Sequence, residues 1–294
     1  AVDAAMFIAP EVDGQVIKSR GYETRELTPA SLKPKHEVNP NKAIKRLPGE
    51  AFGGELSLTE RRQAIIVQNL LDEEKAIEQT EEWMASQACI FGEYTCEGTQ
   101  FERMNVSFGR SPENNVVLAG AEKWASKDKA TFDPCEDIEN AALACESGVN
   151  IAIFDQKGYR LFLSFKATAD KLETRRGSNS ALETALKDLG KDVSIKGYLG
   201  DVMIVVYTGY RRVKGAKEFY QPENTVVLGH TEYQGARLYG AILDDDAIEQ
   251  GLSQVARYPK VYKTTGDVSR TYTMIKSAPL MATPAADEFV TLQF

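Results

Sequence analysis

The sequence contains no run of about 18 consecutive apolar residues, the length that a transmembrane helix requires, so we expect no membrane span. It does not open on a positively charged leader followed by an apolar core, and we therefore expect no secretory signal. Its 4 cysteines include no Cys-x-x-Cys pair and have no histidine nearby, which argues against a zinc site. Without an export signal, reduced thiols in a cytoplasm are the expected state of these cysteines.

Residues suited to catalysis are equally scarce. The two histidines, His36 and His230, are far apart in the sequence, and no Gly-x-Ser-x-Gly motif supplies a nucleophile. The acidic run at 244–246 lacks the alternating ligands and distal glutamate of a calcium loop, so we interpret it as a helix start. The loop at 175–179 meets the requirements of a phosphate-binding loop only in part, and we interpret it as solvated or as a subunit contact. The sequence therefore predicts no catalytic residue, no cofactor and no metal ligand.

The charge balance limits the possible partners. The net charge is −8 at pH 7, from 35 basic and 43 acidic residues. This is the wrong sign for a protein that neutralises phosphates over a broad surface. If nucleic acid is nearby, the sequence predicts that the protein encloses it rather than binds it tightly.

A length of 294 residues allows two modest domains or one large irregular one.

A polar stretch interrupted by prolines covers residues 13–50. Its parts at 15–28 and 33–47 are predicted to be extended and joined by a turn at 29–32, and the prolines of the second part restrict it to an edge or an irregular ribbon. A ribbon this polar is marginally stable alone, so it is either a solvated loop or a segment that lies on another molecule. The candidate inter-subunit contacts are its basic residues Lys18, Arg20, Arg25, Lys33, Lys35, Lys45 and Arg46.

One long helix is predicted from residue 58 to residue 91. Ser57 and Glu60 have the spacing of a capping box, and Gly92 stands where a left-handed residue ends a helix. Its length of roughly 50 Å exceeds the width of a small domain. The predicted apolar stripe consists of Leu70, Ile77, Met84 and Phe91, and the predicted solvent face of Glu73, Glu74, Glu78, Glu81 and Glu82. A coiled coil is the alternative, but the acidic positions interrupt a second apolar seam, so we favour a spine packed on a sheet.

The remaining chain alternates between strand and helix patterns. A capped helix is predicted from residue 133 to about residue 148, where we also expect a domain boundary, and an α/β pattern follows. Helix starts are predicted at 180 and 246, a helix at 157–166, and a hairpin turn at 214–215. Strands are predicted at 101–108, 116–118, 150–154, 202–207, 225–228, 271–276 and 287–294.

Segments along nearly the whole chain resemble the major capsid proteins of lambda-like tailed bacteriophages. The matching stretches, in order, include IAPEVDGQVIKSRG at 8–21, RRQAIIVQNLLDEEKAI at 61–77, LETRRGSNSALETALKDLGK at 172–191 and GDVMIVVYTG at 200–209. The resemblance implies an α+β fold of the Hong Kong 97 type, with an extended loop, a peripheral domain with a long spine helix, and an axial domain. It implies a remnant of an N-terminal arm at 1–12, the extended loop at 13–50, the axial domain at 149–256, and a peripheral domain made of 51–148 and 257–294.

The function implied by the resemblance is structural. Copies of the chain would assemble into pentamers and hexamers of an icosahedral head around double-stranded DNA, in the cytoplasm of a bacterial host. Scaffold, portal and decoration proteins would be further partners, and no membrane or sequence-specific DNA contact is expected. Some relatives join a loop lysine to an asparagine of a neighbour, a crosslink that the lambda-like branch lacks and that we do not expect here. Two alternatives are a cytoplasmic α/β enzyme with a site at strand ends in 150–230, and a non-phage encapsulating shell.

Overall fold

The structure is a computed structural model that describes residues 29–45, 56–98, 101–145, 148–172, 192–265 and 269–294. Its helices are α1 (Pro40–Ile44), α2 (Leu58–Phe91), α3 (Pro134–Ala142), α4 (Gln156–Leu163), α5 (Lys166–Lys171) and α6 (Asp245–Glu249). Its strands are β1 (Lys35–Val38), β2 (Glu93–Gly98), β3 (Phe101–Ser107), β4 (Asn115–Val117), β5 (Ile151–Phe154), β6 (Val193–Leu199), β7 (Val202–Tyr207), β8 (Tyr210–Val213), β9 (Ala216–Phe219), β10 (Thr225–Gly229), β11 (Ala236–Tyr239), β12 (Tyr258–Thr264), β13 (Arg270–Lys276), β14 (Pro279–Ala282) and β15 (Val290–Gln293). No helix in these ranges has the length and apolar character needed to cross a membrane.

The long helix α2 confirms the predicted bounds at both ends. The Ser57 side chain accepts from the backbone N–H of Glu60, and the Glu60 side chain accepts from the backbone N–H of Ser57. At the other end, Gly92 has a φ of 72° and donates its backbone N–H to Ala88. These caps satisfy backbone groups that a helix end leaves without partners, and they fix where the spine begins and stops.

The predicted solvent face of α2 is wrong at two positions. Glu73 and Glu81 are buried, with exposed fractions of 0% and 6%, although Ile77 and Met84 of the predicted apolar stripe are buried as expected. Residues at spacings of three and four lie on one face of a helix, so the same face carries carboxylates and apolar side chains. The sequence gives no hint that these carboxylates find partners, because those partners come from distant parts of the chain.

A six-stranded sheet forms the largest layer, in the order β4-β15-β10-β5-β7-β6. Only β15–β4 and β5–β7 are parallel pairs among its neighbours. The main core packs on this sheet and contains the aromatic residues Trp124, Phe154, Phe162, Phe165 and Phe294. The sheet joins β15 of the C-terminal part to β10 and β5 of the central part. The division of the chain into peripheral and axial domains stays a prediction.

A second sheet, in the order β1-β13-β12, corrects the prediction for residues 33–47. Among the described residues 33–45, only Lys35–Val38 is a strand, and it pairs with β13 of the same chain. Residues 40–44 are helical instead of extended, because Asn39 accepts from the backbone N–H of Asn41 and Pro40 opens the helix. The Asn-Pro start signal is present in the sequence, where we interpret the proline as restricting the segment to an edge or an irregular ribbon. The predicted segment at 15–28 lies outside the described residues.

Other predicted bounds need smaller corrections. Strand β7 and the β8–β9 hairpin, which turns at Lys214 and Gly215, are confirmed. Helix α3 begins at Pro134 as predicted but ends at Ala142, well before residue 148. The helix predicted at 157–166 is divided into α4 and α5, and a short 3-10 helix precedes β15 where a continuous strand was predicted. The helix start predicted at 180 lies outside the described residues.

Candidate functional site

The candidate contact residues of the loop divide into three groups. Lys18, Arg20, Arg25 and Arg46 lie outside the described residues, as does the Arg175–Arg176 pair. Lys33 and Lys45 are exposed, so their charges are available to another molecule. Lys35 differs from both, because it contacts its own subunit. Its Nζ lies 4.3 Å from the centre of the Tyr272 ring, a cation–π contact, and donates to the Tyr262 hydroxyl at 3.3 Å.

The buried carboxylate of Glu73 joins three elements at one point. Its Oε1 accepts from the backbone N–H of His36 at 3.1 Å and from the Thr273 hydroxyl at 2.7 Å. The same oxygen lies 3.1 Å from Nδ1 of His36, whose side chain is 48% exposed. Helix α2, strand β1 and strand β13 thus meet on one oxygen atom. Because β1 is the described strand of the predicted loop, we call Glu73, His36 and Thr273 the loop anchor.

A second joint connects α2 to the segment that precedes β12. The Arg257 guanidinium contacts Glu74 at 2.9 Å, Glu78 at 3.4 Å and Glu81 at 3.0 Å. Burial lowers the pKa of Arg257, but the attraction of Glu81 and the hydrogen bonds to all three carboxylates raise it overall. The three acidic residues occupy successive turns of α2 and hold one cation, which explains how a helix face this acidic packs against the protein.

The acidic run at the start of α6 is a cap, but two residues earlier than predicted. Asp244, not Asp246, is the N-cap, and its side chain accepts from the backbone N–H of Asp246. Asp244 also accepts from Nζ of Lys260 at 3.0 Å and from Nζ of Lys276. The hydrogen bonds from Lys276 and Lys260 hold the pKa of Asp244 well below its ordinary value. Within the described ranges no group of three or more His, Cys, Asp or Glu side chains is placed to hold a metal ion.

Arg110 holds the C-terminal end of the spine helix. Its guanidinium donates to the backbone carbonyls of Ile90 at 2.6 Å and Cys89 at 2.7 Å, and to that of Ala286 at 3.0 Å. The last carbonyls of a helix have no intrahelical donor and carry partial negative charge, so a cation is stabilising there. Arg110 therefore ties the spine helix to the C-terminal segment. Sequence reasoning missed this residue because these acceptors are backbone atoms, which no residue type in the sequence reveals.

The described residues of 150–230 contain one buried acid, Asp155, and its hydrogen bonds are structural. Its Oδ2 accepts from the backbone N–H groups of Lys157 and Gly158, which caps α4. Its Oδ1 accepts from the backbone N–H of Thr225 at 3.0 Å and so joins β5 to β10. The carboxylate with the most suggestive position for an enzyme is thus occupied by backbone donors.

The comparisons with known proteins agree over nearly the whole length. The model of a family described as phage major capsid protein E matches residues 1–294. The major capsid protein of Escherichia phage lambda is 51% identical over 292 residues, which cover 99% of this chain and 86% of that protein. The major capsid protein of Escherichia phage N15 is 52% identical over the same shares of both chains. A crystal structure described as a prophage capsid protein of E. coli CFT073 has a TM-score of 0.81 at 35% identity, and the match covers 93% of this chain and 79% of that one.

Proposed function

This chain belongs to the phage major capsid protein E family, and on that premise we propose how its subunits build a phage head. The chain is a structural major capsid protein of the lambda-like kind, and copies of it assemble into a shell. The α+β fold of the Hong Kong 97 type is confirmed. The enzyme hypothesis is not supported, because the relatives are major capsid proteins. The observation that carries the proposal is the family match across residues 1–294.

The subunits form pentamers and hexamers that close into an icosahedral shell around double-stranded DNA. Rings of this kind use heterologous contacts, in which one surface of a subunit meets a different surface of the next. The net charge of −8 suits a shell that contains DNA without adhering tightly to it. The enclosed DNA is not recognised by sequence, and assembly takes place in the cytoplasm of the bacterial host.

The extended loop at 13–50 lies across a neighbouring subunit, and its anchor keeps its base on the spine helix. The exposed side chains of Lys33 and Lys45 are free to meet that neighbour, together with Lys18, Arg20, Arg25 and Arg46 of the same loop. Lys35 instead stabilises the sheet of its own subunit through Tyr262 and Tyr272. Individual surface ion pairs contribute only about 0–1 kcal/mol, so many repeated contacts must add up over the shell. The axial domain at 149–256 and the peripheral domain made of 51–148 and 257–294 remain the division that we propose.

A scaffold, a portal and a decoration protein are the further partners, as the resemblance implies. The shell contains no covalent link between subunits. For Lys35 its contacts support this, because a lysine that lies over two rings of its own subunit is not placed to react with a neighbour. Mature shells boiled in detergent are expected to release single chains, and a ladder of crosslinked chains would contradict this part of the proposal.

Negative-stain electron microscopy of the full-length protein, co-expressed with its scaffold, tests the proposal. We expect closed shells, or rings of five and six subunits. In a second arm, Lys33→Glu with Lys45→Glu is expected to reduce the yield of shells while the circular dichroism of the subunit stays unchanged. Lys35→Met is the matched control. It is expected to lower the stability of the subunit and to have a smaller effect on the contacts between subunits. A small discrete oligomer under every condition would overturn the proposal.

A further inference from the structure

A groove of about 600 Å³ runs between the spine helix, the β2–β3 hairpin and the start of the described chain. Its lining includes every residue of β2, but from β3 only Phe101, so the groove follows the side of β2 that faces away from β3. The apolar residues of the lining include Trp83, Met84 and Tyr94. The Arg211 guanidinium lies 4.0 Å from the centre of the Trp83 ring, which fixes that wall.

The free edge of β2 directs backbone groups into this groove. Phe108 donates its backbone N–H to Gly92, which sets the hydrogen-bonded positions of the ladder at Gly92 and at every second residue after it. Glu93 and Thr95 occupy the alternate positions, so their backbone N–H and C=O groups point away from β3. Strand β2 pairs only with β3 among the described strands. An edge of this kind is a template on which another strand can pair.

Strand β1 has no complete free edge for the hairpin partner that the sequence predicts at 15–28. A hairpin would pair it with residues 33–47, but β1 is paired on one side with β13. On the other side of β1, the backbone N–H of His36 donates to Glu73 and is therefore unavailable to a strand. The sequence predicts an extended, partly apolar stretch at 15–28, and the edge of β1 that would pair with it is blocked at His36.

We propose that residues 15–28 of a second copy bind in this groove and add a strand to the free edge of β2. The proposal rests on the proposed function, since the shell is what brings a second copy to this surface. The receiving surface of the loop is the edge at Glu93 and Thr95, with Trp83 and Phe101 beside it. Backbone pairing provides the affinity in such strand addition, and pockets for alternate side chains provide the specificity.

The chemistry of the groove matches that of the segment. Val16, Ile17 and Tyr22 supply side chains for an aromatic groove in which Phe101 is 39% exposed. Lys18 and Arg20 supply positive charge for a rim that carries Glu93 and Glu97.

A cation of an incoming strand can compete with Arg103 for Glu97 at the rim of the groove. The present partner of Glu97 is Arg103 at 3.3 Å, in a pair whose side chains are 66% and 75% exposed. An exposed pair of this kind is weak, so a cation of the incoming strand can replace it.

Photo-crosslinking within shells assembled from a mixture of isotopically light and heavy full-length subunits tests the proposal. A photoreactive residue replaces Thr95 in the groove, and the same residue at Val117, which is 65% exposed, serves as the control. We expect Thr95 to yield crosslinked peptides that join light β2 to heavy residues 15–28, and Val117 to yield none of them. Crosslinks confined to one isotope, crosslinks to another segment or another protein, or the same product from Val117 would each overturn the proposal.

A backbone substitution gives an independent readout. Thr95→Pro removes the amide that points into the groove and leaves the ladder with β3 intact, whereas Thr95→Ala removes the same side chain and keeps the amide. We expect Thr95→Pro to lower the shell yield by about fivefold or more, as the loss of one backbone hydrogen bond per contact requires, and Thr95→Ala to leave it near that of the unmodified chain. Normal shells from Thr95→Pro would overturn the strand addition alone. Failure of the unmodified chain to form shells would overturn the proposed function and this inference with it.

Discussion

Replacing Glu73 with alanine is predicted to destabilise the subunit strongly, although the sequence pattern places this residue on the solvent face of a helix. The side chain is fully buried, and its Oε1 is the acceptor for the backbone N–H of His36 and for the Thr273 hydroxyl. Alanine would leave both donors without an acceptor and open a cavity where helix α2, β1 and β13 meet. Helix α2 itself would persist, because its caps lie far from this position.

The magnitude follows from the groups that lose their partners. A buried donor left without an acceptor costs about 1–3 kcal/mol, and alanine leaves two such donors, the backbone N–H of His36 and the Thr273 hydroxyl. We therefore expect Glu73→Ala to lower the free energy of unfolding by about 3–5 kcal/mol, a large part of the total for a typical protein. Glu73→Gln keeps an acceptor at Oε1 and the side-chain volume, so its expected cost is about 1 kcal/mol.

Urea unfolding of the unassembled subunit, followed by circular dichroism, measures both variants. Thr273→Val is the matched control because it removes one donor of the anchor and keeps the shape of the side chain, with an expected cost of about 1 kcal/mol. A double-mutant cycle between Glu73→Gln and Thr273→Val should show coupling, since the two groups share a hydrogen bond. A loss below about 1 kcal/mol for Glu73→Ala, or equal losses for alanine and glutamine, would refute the reasoning.

Three further predictions concern the other joints and the thiols. Arg110→Ala is expected to lower the free energy of unfolding by about 2–4 kcal/mol in urea unfolding, because the carbonyls at the end of α2 lose their donor, and Arg110→Lys should recover less than half of that loss. Lys276 and Lys260 hold the pKa of Asp244 below its ordinary value, so its stabilising effect is complete above about pH 4 and is lost as the pH falls below it. Asp244→Asn should therefore flatten the acid side of a stability-versus-pH curve, and an unchanged curve would contradict this. Burial raises the pKa of Cys89 to about 11 and that of Cys135 to about 12, so both thiols should react slowly with Ellman's reagent at pH 8 in the native protein and quickly in denaturant.

The parts of the fold that could be predicted are those specified by neighbouring residues. The spine helix was predicted to the residue because its capping box and its terminating Gly92 are local signals. The β8–β9 turn was predicted for the same reason, since Lys214 and Gly215 adopt the left-handed conformations that such a hairpin requires. Where a local signal was misinterpreted, as at Pro40, the error was confined to one element.

The joints could not be predicted because their partners are far apart in the sequence. Glu73 and Thr273 are 200 residues apart, and Arg257 meets Glu81 across 176 residues. A periodicity analysis assigns an acidic residue to solvent unless a cation or donor is known to face it. The capsid resemblance gave the fold class and the function, but it did not show which carboxylates of the spine are internal.

These internal partners change where assembly contacts must be sought. Glu74, Glu81 and Lys35 are engaged within the subunit, so they contribute little new attraction between copies. The surface instead retains large apolar side chains that are uncovered in the single chain, such as Leu143 at 85% and Leu243 at 75% exposure. Burial of such side chains stabilises an interface without the desolvation cost of a charge. Contacts between subunits should therefore depend on backbone edges such as β2 and on these apolar residues, with the loop cations selecting orientation rather than supplying most of the affinity.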